Sequence, residues 1–300
     1  MSAAPDQPGA RRLVILGAQG QLARALVQRA GPAGFDACCA GRAEADLETR
    51  GAVSELIEAR KPEIVINAAA YTDVDGAERE PGRAIAINAD GAEEAARAAR
   101  AAGARFIHVS TDYVFTDGGP HDERAAPNPA NTYGASKRAG ERAVAAADPG
   151  AAIVRACGIF SGRGRDFPSA MWRLARESAP IRVVADQQVS PIYAADLADR
   201  LLALARRTDA AGLFHAAAPG ATWFEVAQEA LDALAEANGP ARTPEPIPSA
   251  AFPRPAPRPR DSRLTGDRLR RLTGLDDPDW RAGLRKALAV WLASAGTLNG

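Results

Sequence analysis

The sequence predicts a doubly wound α/β protein: a parallel sheet covered by helices on both faces, followed by a smaller, mostly carboxy-terminal α/β part. Three observations lead there. Apolar runs such as RLVILG and EIVIN are continuous rather than alternating, as expected of parallel strands buried on both faces. Stretches with helical spacing separate them, which is the βαβ pattern. The first run enters a glycine-containing turn, G-A-Q-G-Q-L-A, at the head of the first predicted helix.

The elements follow in order. Arg12–Gly17 reads as a strand and QLARALVQRA as a helix. Phe35–Gly41 is a second strand, Ala52–Arg60 a helix, and Glu63–Asn67 a strand bounded by Pro62. GAEEAARAARAAG is alanine-rich helix and Arg105–Ser110 a strand. A helix over Tyr133–Ala146 and a strand over Ala152–Ala156 complete the regular half. Beyond it, helices fit Pro168–Ser178, Ala194–Arg207, Thr222–Asn238 and Trp280–Ser294, with short strands at Ile181–Val184 and Leu213–Ala216. Seven prolines between Pro244 and Pro259 exclude a helix or a central strand. That segment reads as a surface linker or as a rigid loop presenting PRDSRL. The expected division is a dinucleotide-binding domain of Rossmann type over 1–158, to which 186–216 returns, and a substrate-binding part from 159–185 and 217–300.

Composition narrows the function. Thirty-seven basic and 37 acidic residues cancel, so the excess of positive charge usual for nucleic-acid or anionic-membrane binding is missing. No apolar stretch approaches the ~18 residues of a membrane helix. Three cysteines (Cys38, Cys39, Cys157) with no CxxC predict a reducing, cytoplasmic setting. The opening MSAAPDQPGARR lacks the apolar core of a signal peptide. The three histidines (His108, His121, His215) are scattered, and His108 lies inside a strand; no metal site is expected. GxSxG is absent, which removes the nucleophile-elbow hydrolases.

The glycine turn carries the first functional signal. Gly17 and Gly20 permit a tight turn and close backbone approach to a pyrophosphate, and Ala23 is small enough for helix–strand packing. The following helix amino terminus offers unpaired N–H donors to an anion. The second strand runs into Gly41-Arg42 with no acid before Glu44. Arg42 is therefore a candidate clamp for a 2′-phosphate, which points to NADPH, with NADH still open; a solvated arginine is the competing reading. Asp46 and Leu47 could lie against the adenine. The small residues Ala68, Ala69 and Ala70 in NAAAYTDVDGAE leave room for a ribose or a flat ring.

The second signal is Tyr133-x-x-x-Lys137, one turn apart on a predicted helix. With four tyrosines and only three lysines (Lys61, Lys137, Lys286) in 300 residues, chance gives such a pair ~0.04 times. A carbonyl that accepts hydride needs a proton on its oxygen. A phenol beside an ammonium can supply one near neutral pH. Thr111, in VSTDYVF at a strand's carboxyl end, is the candidate third hydroxyl.

GAQGQL, GRAEADL, INAAAYTDVDGAE, INA (Ile87–Ala89), VSTDYVF, YGASKRAGE, VADQQVSPIYAADLA and RPRDSRL occur in that order. Together they resemble the dTDP-4-dehydrorhamnose reductase family, a branch of the extended short-chain dehydrogenases/reductases, from about Arg12 to Trp291. The resemblance implies NAD(P)H-dependent reduction of the C4 ketone of dTDP-4-dehydro-L-rhamnose. It implies Tyr133 as general acid, Lys137 as its tuner and ribose ligand, and Thr111 as the hydroxyl positioning the ketone. It places Gly20, Gln21 and Leu22 at the pyrophosphate, Asp46 and Leu47 at the adenosine end, and Ala70, Tyr71 and Thr72 between, with Gly17, Gln19, Ala68 and Ala69 as further cofactor-binding candidates. Asp112 and Tyr113 would face the sugar, with Arg258 and Ser262 at the substrate end. Three positions depart from the family pattern, and all touch substrate recognition: Gly158 replaces a tryptophan, Val189 a glycine and Ile192 a threonine. An NAD-retaining sugar-nucleotide epimerase or dehydratase, and a non-catalytic nucleotide-binding regulatory subunit, are the competing readings. The oligomeric state, including a homodimer, and dependence on Mg²⁺ stay open at this level.

Overall fold

The structure is a computed structural model and describes residues 9–296. The first eight residues of the opening stretch, and the last four of the expected carboxy-terminal part, lie outside the described residues.

The chain builds β1 (Arg11–Leu16), α1 (Gln21–Ala30), β2 (Phe35–Ala40), α2 (Ala52–Arg60) and β3 (Ile64–Asn67). Then come α3 (Val74–Arg79), α4 (Pro81–Ile85), a π-helical turn (Ala86–Asp90), α5 (Gly91–Ala101), β4 (Arg105–Thr111), α6 (Thr132–Ala147) and β5 (Ala152–Phe160). The remainder is α7 (Phe167–Leu174), β6 (Arg182–Val184), β7 (Gln188–Val189), β8 (Pro191–Tyr193), α8 (Ala194–Ala205), β9 (Gly212–Ala216), β10 (Ala221–Thr222), α9 (Trp223–Glu236), β11 (Glu245–Ile247), α10 (Asp267–Thr273) and α11 (Trp280–Gly296).

Seven strands form one parallel sheet in the order β2-β1-β3-β4-β5-β8, with β9 also paired to β5. β5 is long enough for two partners on one side: Ala152–Ala156 meet β9, and Cys157–Phe160 meet β8 across a register shift at Gly158. Alternate side chains of β1 enter different cores. Leu13 and Ile15 pack with α1 and α8, whereas Val14 and Leu16 pack with α2, α5 and α6. This is why the strand reads as an unbroken apolar run. A third core gathers Trp172 of α7, Leu231 of α9, and Trp280 and Leu284 of α11.

The strand and helix expectations for the first half hold within one or two residues, except that β5 runs four residues further, to Phe160. Two differences matter. NAAAYTDVDGAE, read only as a post-strand loop, contains most of α3, with Asp73 capping it by accepting from the Gly76 N–H (2.9 Å). The expected helix over Pro168–Ser178 stops at Leu174. The proline-rich segment also holds a strand: β11, with Pro246 at its centre, pairs only with β6 in a two-stranded ribbon. A proline is tolerated there because one side of the strand needs no donor.

Candidate active site

The sheet changes its winding direction between β1 and β3, and the crevice opens where their carboxyl ends part. Gly17 sits at that point with φ +102°, and a Cβ there would lie 2.9 Å from the Ala69 nitrogen. Only glycine fits. The Gly20 N–H donates to the Gly17 carbonyl (2.8 Å). Gly20 also serves as the N-cap of α1 and brings no side chain to satisfy the helix's first N–H groups. Those donors face the crevice.

The resulting cleft, about 310 Å³, is lined by Gly17, Gln19, Gly20, Arg42, Asp46, Leu47, Ala68, Ala69, Ala70 and Thr72 among the residues singled out from sequence. Ala18, Gly41, Ala45 and Ile87 line it too and were not among the candidates. Gly41 and Ala45 flank Arg42 inside GRAEADL, and Ile87 opens the later INA, so the quoted motifs already contained them. Glu44 accepts from the Gly41 N–H (2.9 Å), folding this turn and leaving Arg42 exposed beside the cleft.

Three candidates turn their side chains elsewhere, although Gln21 and Leu22 carry the first backbone N–H groups of α1. Leu22 is buried in the core beneath α1. Tyr71 turns away and donates its hydroxyl to Glu80 (2.8 Å), while its N–H donates to Asn88 (2.8 Å). Gln21 reaches across to donate to the Ile159 carbonyl (2.8 Å), and its buried Oε1 has no partner. An orphaned acceptor next to uncapped helix donors is what a site built for a polar ligand leaves behind.

The second cluster forms at the carboxyl end of β4. Helix α6 is brought there by small residues and caps. A side chain at Gly140 would run into the Asn88 carbonyl, and one at Gly134 into the Tyr113 carbonyl. Asn131 caps the helix by accepting from the Gly134 N–H (2.8 Å), and Thr132 donates through both its N–H and its hydroxyl to Glu78 (2.8 Å each). Tyr133 thereby faces Thr111 and stands edge-on to Tyr113, ring centroids 5.7 Å apart. Burial pushes the Tyr133 phenol up to about 12, and its hydrogen bond with Thr111 pulls the other way. Thr111 accepts from the Tyr113 N–H (3.2 Å) and donates to Asp112 (3.1 Å).

Asp112 is buried and does not open into the cleft. Its second oxygen accepts from Ser262 (2.6 Å) and from the Cys157 thiol (3.0 Å). Burial raises its pKa and the three donors lower it. Ser262 is equally buried, in the wall rather than on the surface. Arg258 is half-buried and donates to Asp75 (2.8 Å) and to the Ala256 carbonyl (2.7 Å), near enough to Tyr113 to act on its pKa.

Lys137 is fully buried one turn beyond Tyr133. Its Nζ donates to the Val109 carbonyl (2.8 Å) and lies 3.3 Å from His108 Nε2. Burial brings it down to about 8, with Glu141 pulling it up. The sequence reading expected an ammonium that lowers the phenol's pKa. Here burial dominates, and the phenol keeps its proton.

A family profile described as the RmlD substrate binding domain matches residues 11–292. The chain belongs to the RmlD family. The dTDP-4-dehydrorhamnose reductase of Mycobacterium tuberculosis is 42% identical to it over 288 residues, covering 93% of each chain. That of Sinorhizobium fredii is 38% identical over 290 residues, covering 93% of this chain and 97% of its own. Among solved structures of RmlD-like proteins, dTDP-4-dehydrorhamnose reductase from Bacillus anthracis in complex with NADP superposes with a TM-score of 0.87 at 35% identity, over 93% of this chain and 99% of that one. The chain is an oxidoreductase of this family. No described helix is long and apolar enough to cross a membrane.

Proposed function

We propose that this protein reduces the C4 ketone of dTDP-4-dehydro-L-rhamnose to give dTDP-L-rhamnose, using NADPH or NADH, in the cytoplasm. The observation that carries the reading is the Tyr133 phenol, edge-on to Tyr113 and beside Thr111 at the carboxyl end of β4, on a sheet whose switch-point crevice begins at Gly17. The reduced nicotinamide supplies the hydride.

The chain's own residues do the rest. Gly17, Gln19, Gly20 and the uncapped amino terminus of α1 receive the pyrophosphate. Ala68, Ala69, Ala70 and Thr72 line the floor, and Asp46 and Leu47 border the adenosine end. Arg42 stands free at the rim for a 2′-phosphate. Tyr133 hands its proton to the developing alkoxide; a phenol that holds its proton in the free enzyme is suited to act as an acid rather than as a base. Thr111 lies beside that phenol, its hydroxyl fixed by donating to Asp112 and accepting from the Tyr113 N–H. Asp112 and Ser262 fix Thr111 from behind, while Tyr113 and Arg258 face the sugar nucleotide. Of the described residues, 9–158 and 186–216 form the cofactor-binding part. Residues 159–185 and 217–296, centred on Trp172 and Trp280, form the substrate-binding part.

NADPH oxidation against a panel of dTDP-, UDP- and GDP-linked 4-keto-6-deoxy sugars tests the reading. Turnover of the dTDP-4-dehydrorhamnose compound, with the C4 alcohol identified by NMR, is expected. No net NADPH oxidation, with the cofactor retained on the purified protein, would overturn it. The same assay with and without EDTA reads the dependence on Mg²⁺, through which no step above is routed.

A further inference from the structure

His108 lies in the middle of β4 and Asn67 at the end of β3, directly paired across the sheet and fully buried. Their hydrogen bonds admit one arrangement of protons. The Ala69 N–H can only donate, and it points at Asn67 Oδ1 (3.1 Å). The Asn67 amide nitrogen therefore faces His108 Nδ1, 3.2 Å away, and Nδ1 must accept. A neutral imidazole that accepts at Nδ1 carries its proton on Nε2. That N–H is directed at Lys137 Nζ, 3.3 Å away. An ammonium there would set donor against donor. An amine would accept from Nε2–H and donate to the Val109 carbonyl (2.8 Å). The ammonium also needs acceptors for three protons, and this wall offers one carbonyl.

We propose that His108, held in its Nε2–H tautomer by Asn67, is a positioning residue for Lys137: it favours the uncharged amine in the cofactor-free enzyme, so that Lys137 takes up a solvent proton when a ligand in the cleft offers acceptors. The purpose assigned to the pair rests on the reductase reading above. The groups facing Lys137 are few. β4 contributes His108 and the Val109 carbonyl, and β3 acts through neutral Asn67, bonded to His108. The π-helical turn contributes neutral Asn88, which reaches α6 through Ser136 (2.9 Å). On α6 itself stand Tyr133 and Glu141. Glu141 favours the ammonium, but its carboxylate already accepts from Arg155, Ser110 and Arg138 at 2.7–2.8 Å. Burial and the His108 N–H therefore set the balance, and burial alone already lowers Lys137.

Three histidines and three lysines make the site readable by NMR. In ¹⁵N-histidine-labelled enzyme, His108 should show a protonated Nε2 and a bare Nδ1 from pH 6 to 9. The Nδ1–H tautomer, or an imidazolium, would overturn the proposal. In ¹³Cε-lysine-labelled enzyme, Lys137 should titrate well below Lys61 and Lys286, and NADP⁺ should raise its midpoint. His108→Gln, whose carbonyl can turn to Nζ and accept, should raise the free-enzyme midpoint by ~1 unit, a tenfold change in the equilibrium. The alkaline limb of kcat/KM for NADPH, which reports the free enzyme, should move with it. A purely structural role would lower the plateau and leave both midpoints in place, which would overturn the proposal. Should His108→Gln fail to fold, the wild-type tautomer and the NADP⁺ shift decide the matter. None of the NMR observables depends on turnover, so failure of the reductase reading would appear separately, as absent ketone reduction.

Discussion

Ser262 Oγ donates to Asp112 Oδ2 across 2.6 Å, although the two residues stand 150 positions apart. The contact ties the loop after the proline-rich segment to the carboxyl end of β4. It leaves Asp112 free to hold the Thr111 hydroxyl with its other oxygen (3.1 Å). The geometry of Thr111 thus depends on a residue from the far end of the chain. Ser262→Ala should leave a buried carboxylate short of a donor, at about 1–3 kcal/mol. A lowered urea midpoint together with a reduced kcat is expected; an unchanged kcat in the folded variant would remove Ser262 from the positioning role.

Tyr133→Phe keeps the ring that meets Tyr113 and removes the proton. Turnover should fall ~10²–10⁴-fold, the usual contribution of a positioned acid, while NADPH binding followed by fluorescence persists. Turnover at the wild-type level would remove Tyr133 as the general acid.

Arg42 makes no hydrogen bond or ion pair among the described residues and stands at the rim of the cofactor cleft. An arginine left free in this way is suited to a ligand phosphate. Arg42→Ala should raise KM for NADPH at least tenfold and leave KM for NADH within about twofold, since a charged hydrogen bond contributes about 1.5–3 kcal/mol. Equal effects on the two cofactors would argue against a phosphate clamp.

Asp75 at the start of α3 holds the proline-rich loop through Arg258 (2.8 Å), Arg254 (2.9 Å) and the Ala256 N–H (3.1 Å). The hydrogen bond from Arg258, the strongest influence, brings its pKa down to about 2 from an unfolded value of 3.8. A depressed carboxylate stabilises the native state fully above the unfolded pKa and loses that contribution as the pH falls through the folded one. Docking of the loop should therefore hold above pH about 4 and weaken between there and about 2. Amide hydrogen exchange across residues 253–258 would follow the change, and Asp75→Asn should show fast exchange there already at pH 7. Protection that persists in Asp75→Asn would show that the loop is held by other contacts.

Glu141 and Arg155 form a buried bidentate pair (2.7 Å for each hydrogen bond) beneath the site. Glu141→Gln should cost about 3–5 kcal/mol, because it leaves the Arg155 charge uncompensated in the core. Chemical denaturation measures it, and a loss under 1 kcal/mol would mean that the core admits water or a substitute partner.

Much of the site was legible before folding was considered, because local rules govern it. A glycine turn between strand and helix, a Tyr and a Lys one helical turn apart, and small residues after a strand are constraints within a few positions of each other. Ten of the thirteen candidates for the cleft around Gly17 do line it. The other three differ for one reason. Tyr71, Gln21 and Leu22 sit beside neighbours that line the cleft, but side-chain direction depends on what lies across the fold: Glu80 for Tyr71, Ile159 for Gln21, the α1 core for Leu22.

Periodicity and turn chemistry thus determined the winding of the sheet, the place of the crevice and the presence of a phenol beside it, since each follows from residues close in sequence. Tertiary structure alone decided the protonation. Whether Tyr133 keeps its proton, which tautomer His108 adopts and what Asp112 is bonded to depend on burial and on partners from β3, β5 and the loop at Ser262. Desolvation and hydrogen bonding act through space, and no spacing along the chain records them.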